Sequence, residues 1–183
     1  PPRSTLFPYT TLFRSPKENP RVIELHGAGE ATLALMSDGS LWCWGEQSTP
    51  CGRSEYPQPM KPSCVTEVNT DGSSAIALHE DGSATIWGTN TWIEEDFLVT
   101  LASFGEIEEV RQIGAGNGYF AVLDGEGTVW MRGLLLFSTD SYDWLENETF
   151  EPLPFASGAT SFAAGSALCA IYQEGTVECM GWH

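Results

Sequence analysis

Proton transfer or metal binding in this 183-residue chain would fall to three histidines, His26, His79 and His183, and to 25 acidic residues. Catalysis needs such groups assembled as a nucleophile with a base, as paired carboxylates or as a metal cluster. The spacing here assembles none of these. His26 and His79 lie in separate repeat units near strand ends, where a lone histidine reads as a surface or packing residue, and His183 is terminal. The sequence contains no G-x-S-x-G, no P-loop and no H-E-x-x-H. Asp38-Gly39, Asp71-Gly72 and Asp81-Gly82 are too isolated for calcium, which takes several oxygens at alternate positions of one loop. They read as turns, and so does the glycine-rich run "GAGNG" from Gly114 to Gly118. The sequence therefore assigns no catalytic, cofactor-binding or metal-binding residue and no cofactor, and the chain is not expected to be an enzyme.

The five cysteines are Cys43, Cys51, Cys64, Cys169 and Cys179. No C-x-x-C is present, so neither a zinc site nor thioredoxin-like chemistry is supported. Cys51 and Cys64 flank a proline-rich segment and would close it as a disulfide in an oxidising compartment; in a reducing one they stay free. Asn147-Glu148-Thr149 is a glycosylation sequon that matters only in a secreted protein. The compartment stays open, with a lean to the cytoplasm.

Binding chemistry is better represented. Three segments, 46–64, 89–109 and 134–158, lie between the repeat units and read as loops. Two of them interleave aromatic residues with acids. Trp92, Glu94, Glu95 and Asp96 fall in one; Tyr142, Asp143 and Trp144 fall in the other. Aromatic anchors in acidic surroundings suit a basic protein or peptide. The competing reading is that the aromatics cover sheet edges and the acids are merely solvated. The formal net charge of −17 points to the same kind of partner. Such a surface repels a phosphate backbone, so direct nucleic-acid binding is not expected. No apolar run approaches the length of a membrane-spanning helix.

The elements that carry these segments repeat. "VIELHGAGEATLALMSDGSLWCWG" (22–45), "VTEVNTDGSSAIALHEDGSATIWG" (65–88), "VRQIGAGNGYFAVLDGEGTVWMRG" (110–133) and "ATSFAAGSALCAIYQEGTVECMG" (159–181) align with one another. Their turn glycines, Gly39, Gly82, Gly127 and Gly175, recur at intervals of 43, 45 and 48 residues. Self-similarity at this period marks a repeat architecture. Each unit holds β-branched runs around a hairpin signal, which excludes the two-helix repeats of similar length. Asp-Gly at the hairpin predicts a type I′ turn, with both central residues at positive φ. The strands are apolar on both faces: Leu33 and Leu35 alternate with Ala34 and Met36. A sheet with one wet face would alternate apolar with polar. Sheets greasy on both sides must stand between neighbours, as propeller blades do. The fold class is all-β, a β-propeller with about four blades.

The unit resembles the repeat of the regulator of chromosome condensation family, a β-propeller usually of seven blades. "SDGSLWCWG" and "EDGSATIWG" carry the resemblance most closely. The third and fourth units replace Asp-Gly by Glu126-Gly127 and Glu174-Gly175, and Trp-Gly by Arg132-Gly133 and Met180-Gly181. Two features depart from the family: its histidine after the glycine turn is replaced by Thr32, Ala75, Tyr119 and Leu168, and its N-x-x-G-Q-L-G run is missing. With no catalytic constellation and with aromatic, acidic loops, the expected function is a non-catalytic scaffold for protein–protein interaction. A guanine-nucleotide exchange factor-like regulator of a small GTPase, or a substrate-recruiting module of a larger ligase, is the alternative. The exchange surface of the founding member is not matched residue by residue.

The first fifteen residues, "PPRSTLFPYTTLFRS", stand apart. They contain no acid and do not continue the repeat. They read in one frame as the translation of a sequencing-library adapter, so native sequence is expected from about Pro16. Residues 16–183 are then expected to be part of a longer propeller, with a bare blade face at each end.

Overall fold

The computed structural model describes residues 20–45, 54–61, 63–88, 97–101, 107, 109–136, 144–153 and 157–181. Among them every regular element is a strand, and the strands form four antiparallel sheets in simple up-and-down order. Blade 1 comprises β1 (Val22–Ala28), β2 (Ala31–Met36), β3 (Leu41–Gly45) and β4 (Ser54–Pro59). Blade 2 comprises β5 (Val65–Thr70), β6 (Ser74–His79), β7 (Ala84–Gly88) and β8 (Phe97–Leu101). Blade 3 comprises β9 (Gln112–Gly116), β10 (Tyr119–Leu123), β11 (Val129–Leu136) and β12 (Trp144–Pro152). Blade 4 comprises β13 (Ala159–Ala164), β14 (Ala167–Tyr172) and β15 (Val177–Gly181).

The segments expected to be loops are not wholly so. Each of 46–64, 89–109 and 134–158 contributes the fourth, outermost strand of its blade. β4 illustrates why sequence hides such a strand. It contains Pro57 and Pro59, and proline is tolerated only where a strand pairs on one side. A strand with one partner and solvent on its other edge needs no alternating pattern.

The hairpins also differ from expectation. Gly39 N–H donates to Met36 C=O at 2.9 Å and Met36 N–H donates to Ser40 C=O at 2.9 Å, so the loop has three residues rather than two. Only the glycine takes positive φ, at 75°; Asp38 does not. The aspartate closes the turn with its side chain instead. Its Oδ1 accepts from Ser40 N–H at 3.0 Å and from Ser40 Oγ–H at 2.6 Å. Asp81 and Ser83 repeat this in blade 2. A side-chain acceptor in this place stabilises the type I geometry with a left-handed third residue over the primed turn. These bonds hold the Asp38 carboxyl below its ordinary range, the Ser40 hydroxyl contributing most.

Blades join face to face. Counted from the turn glycine, the residues six and four before it and two and four after it form one face. In blade 1 these are Leu33, Leu35, Leu41 and Cys43, packed on Val65, Val68, Ala75, Ala77 and Trp87 of blade 2. In blade 2 they are Ile76, Leu78, Ala84 and Ile86, packed on Ile113, Ala115, Phe120 and Val122 of blade 3. In blade 3 they are Ala121, Leu123, Val129 and Met131, packed on Ala159, Phe162, Leu168 and Ala170 of blade 4. All of these are buried. Both faces of β6 and β10 are thereby removed from water, as the double apolar pattern requires. A buried aliphatic side chain contributes roughly 1.5–3 kcal/mol, so these seams dominate the stability of the arc.

The junction between blades is also fixed by backbone. Gly39 C=O accepts from Val65 N–H at 2.9 Å, and Gly127 C=O accepts from Ala159 N–H at 2.8 Å. Close before the first strand of blades 2, 3 and 4 one residue turns left-handed: Cys64 (φ 55°), Glu109 (φ 52°) and Gly158 (φ 80°). Of the two cysteines that flank the proline-rich segment, Cys64 is free, so the bridge to Cys51 that an oxidising compartment would allow is not made. Cys64 sits clamped in the junction, its C=O accepting from Glu80 N–H at 2.9 Å, and its thiol is free and exposed. Cys51 lies outside the described residues. One disulfide joins Cys169 to Cys179, opposite one another in the β14–β15 hairpin with Cα atoms 4.0 Å apart. Cys43, at the same repeat position as Cys179, is also disulfide-bonded.

The glycine that ends each third strand has a separate reason. Gly88 has φ 120°, and a Cβ there would lie 2.5 Å from Ser73 O and Ser74 Cα, which are backbone. Gly82, at the hairpin of the same blade with φ 79°, has open space around the corresponding position. Gly82→Ala is therefore expected to cost about 1 kcal/mol, the strain of a left-handed alanine alone. Gly88→Ala is expected to cost on the order of 3 kcal/mol or more, because backbone must also shift. Urea denaturation of the two variants side by side checks the difference.

Candidate interaction surface

β1, β5, β9 and β13 approach one another from blade to blade, whereas the fourth strands do not. In a radial array the strands that converge are those nearest the axis, so the first strands form the inner wall. Each is an edge strand with unpaired N–H and C=O groups, and side chains of the preceding blade reach those of β9 and β13. Asn69 Oδ1 on β5 accepts from Ala115 N–H on β9 at 3.1 Å. Gln112 on β9 reaches β13: its Nε2 donates to Phe162 C=O at 2.7 Å, and its Oε1 accepts from Phe162 N–H and from Ser161 Oγ–H, each at 3.0 Å. Tyr119 OH accepts from Gly165 N–H at 3.1 Å. Burial pushes the Tyr119 phenol up to about 12, so it stays protonated at any ordinary pH.

Glu67 occupies the same repeat position as Gln112 and plays the same part with a carboxylate, accepting from Ile113 N–H. Burial pushes its carboxyl above the ordinary value. The Glu24 charge adds to this rise, while the Ile113 N–H and His26 oppose it. His26 Nε2 lies 3.1 Å from Glu24 Oε2. Glu24 and Glu67, with His26 beside them, place two acids on the inner strands of blades 1 and 2.

His79 is a packing residue. Its Nδ1 lies 2.8 Å from Ser63 C=O, which can only accept, so Nδ1 carries a proton. Its Nε2 lies 2.7 Å from Thr85 Oγ1. Asp124 holds the same position in blade 3 and is buried; its Oδ2 accepts from Trp130 Nε1–H at 2.7 Å, and its Oδ1 accepts from Glu126 and Thr128 N–H. In blade 4 Tyr172 OH donates to Glu178 Oε2 at 3.3 Å. The residue three before the turn glycine thus hydrogen-bonds the one three after it in blades 2, 3 and 4. Among the described residues no three His, Cys, Asp or Glu side chains converge as a metal site would require. No helix among them is long and apolar enough to cross a membrane.

The residues expected to meet a partner fall mostly outside the described part: Trp92, Glu94, Glu95, Asp96, Tyr142 and Asp143. Trp144 opens β12, with its backbone opposite Leu136. The topology locates where these segments depart. In an up-and-down sheet the first-to-second and third-to-fourth connections leave from one end, and the hairpins carrying Gly39, Gly82 and Gly127 leave from the other. The ends of β7 and β11 therefore lie on the same rim of neighbouring blades. The interleaved bridges of Asn69 and Gln112 have no signal in the sequence beyond their place in the repeat, on the first strand of the unit.

Glu67 gives the inner wall a measurable pH response. With its folded pKa above the unfolded one, its contribution to stability is full below the unfolded value and is lost as pH rises through the folded one. Glu67→Gln keeps an acceptor for Ile113 N–H and removes the buried charge. It is expected to be more stable than the parent by up to about 1 kcal/mol at neutral pH, with the advantage vanishing towards about pH 4. Thermal melts across that range check the sign.

No family model matches the chain, and no curated protein does. Solved structures do. Human WBSCR16 superposes with a TM-score of 0.72 at 19% identity, over 92% of this chain and 49% of that one. Prp20p from Saccharomyces cerevisiae, whose structure is described with its binding of Gsp1p and histones, gives 0.71 at 20%, over 92% and 46%. The CRINKLY WD40 ectodomain of the Arabidopsis thaliana receptor kinase ACR4 gives 0.60 at 21%, over 90% and 57%. The chain spans about half the length of the first two. Its repeated sheets, the seams between them and these superpositions together give it the fold of the regulator of chromosome condensation-type β-propeller, present as an arc of four blades.

Proposed function

We propose that the chain is a non-catalytic propeller scaffold that docks a basic protein on the rim where β7 and β11 end. The observation that carries this reading is the shared rim. Trp92, Glu94, Glu95 and Asp96 issue from one blade, and Tyr142, Asp143 and Trp144 issue from its neighbour. Aromatic side chains supply anchors that bury well at low entropic cost, and acids select and steer a cationic partner. The net charge of −17 adds a long-range attraction of the same sign. The fold neighbour Prp20p binds histones, which are basic proteins. The same neighbour also binds Gsp1p, and this favours a second reading, regulation of a small GTPase by nucleotide exchange.

Core histones and a lysine-rich peptide are suitable probes. Binding is expected to weaken as salt rises. Replacing Glu94, Glu95 and Asp96 by their amides is expected to weaken it by about tenfold and to flatten the salt dependence. Trp144→Ala is expected to weaken it with the salt dependence unchanged. Binding that ignores both changes, or a chain that binds neither probe, overturns the basic-partner reading. Accelerated nucleotide release from a GTPase would place the chain under the second reading instead.

A further inference from the structure

The docking rim makes no use of Asn147-Glu148-Thr149, the one N-x-S/T triplet in the chain. Two features of the structure bear on it. The first is the cystines. Cys169 is joined to Cys179 across the β14–β15 hairpin, and Cys43 in blade 1, at the repeat position of Cys179, is also disulfide-bonded. Disulfides form and persist in oxidising compartments and are rare in the cytosol, where glutathione and thioredoxin keep thiols reduced. Two of them, in different blades, turn the reading away from the cytoplasm and towards the compartments in which asparagine receives glycans.

The second feature is where the triplet lies. It falls in β12, the outermost strand of blade 3, which is hydrogen-bonded to β11 alone. Blade 3 is packed between blades 2 and 4, so this edge stays open whatever blades precede or follow. The ladder also breaks at the triplet. Asn147 stands opposite Gly133 and Glu151 opposite Met131, so residues 148–150 bulge against Arg132 alone. Thr149, inside the bulge, is exposed, and its Oγ1–H donates to the Glu151 Oε1 at 2.9 Å on the surface. A glycan acceptor needs this combination: a surface segment released from regular pairing, with the hydroxyl of its third residue within reach.

We infer that Asn147 carries an N-linked oligosaccharide and that the chain folds in an oxidising, glycan-transferring compartment. The donor is a lipid-linked oligosaccharide diphosphate. The amide nitrogen of Asn147 attacks C1 of the first sugar; the C–N bond forms as the C–O bond to phosphate breaks, the lipid diphosphate leaves with the electron pair, and the amide nitrogen gives up one proton. A glycan on this bulge has a structural consequence. It shields the open edge of β12 from pairing with a strand of another molecule, a hazard that natural sheets counter by covering, twisting or charging their edges. The inference does not depend on the partner proposed above.

Production of the whole chain through a eukaryotic secretory pathway tests it. The glycan is read by intact mass and by digestion with a peptide N-glycosidase, on cell and medium fractions together, so that retention in the cell hides nothing. The expected product carries a single glycan, which the enzyme releases with deamidation of Asn147. Thr149→Ala is expected to abolish the glycan and Thr149→Ser to keep it; the position is exposed, so neither change should disturb folding. Without reductant, an alkylating reagent is expected to label the exposed Cys64 thiol and to spare Cys43, Cys169 and Cys179. A chain that emerges bare, or a glycan that survives Thr149→Ala, overturns the assignment of Asn147. Labelling of Cys43, Cys169 or Cys179 in the native protein overturns the assignment of the compartment.

Discussion

A single blade of this chain has no inside. It is one sheet thick, so neither of its faces can be dry on its own, and both carry aliphatic side chains. Leu33 and Leu41 become a core only when Val68 and Ala77 arrive from the next blade, and Ile76 and Ile86 only when Phe120 and Val122 do. Stability in such an array is the sum of seams rather than of units. The edge strands impose the same dependence in polar form. β9 and β13 present open backbone groups that Asn69 and Gln112 fill from the blade before. A blade without its neighbour would leave wet aliphatics on its faces and unpaired amides on its inner strand.

This dependence governs where function can reside. Side chains inside the blades are committed to seams, and those beside the hairpins pair with one another, as His79 does with Thr85 and Asp124 with Trp130. The docking proposed above therefore uses the connections between strands and not the blades themselves. The sequence interleaves large aromatics with acids between β7 and β8 and between β11 and β12.

The architecture is legible in the sequence because seams and turns impose strict local rules. The apolar pattern on both faces announces stacked sheets, and the glycines at 39, 82, 127 and 175 give the period. The fourth strands are not legible, since an outer strand such as β4 pairs on one side and accepts Pro57 and Pro59 without penalty. The hairpin type escapes because Asp-Gly serves two turns, and only the hydrogen bond from Ser40 N–H to Asp38 decides between them. The Cys169–Cys179 bridge is within reach: residues six before and four after the turn glycine face each other across the hairpin, and two cysteines sit there. Proximity in sequence around a proline-rich segment points instead to Cys51 and Cys64. The bridging roles of Asn69 and Gln112 depend on the pitch between blades, which no single repeat encodes.

The left-handed junction residues bear on how such a chain can change length. Cys64 and Gly158 turn left-handed beside the hairpin glycine of the blade before, and Glu109 does so just before β9. The interval between turn glycines nevertheless grows from 43 to 48 residues along the chain. The extra residues enter on the far side of the hairpin, between the third strand and the junction, where nothing sets the angular step. Insertions can therefore accumulate on one rim while the curvature of the ring stays as it was, so the molecule can acquire new surface without being rebuilt.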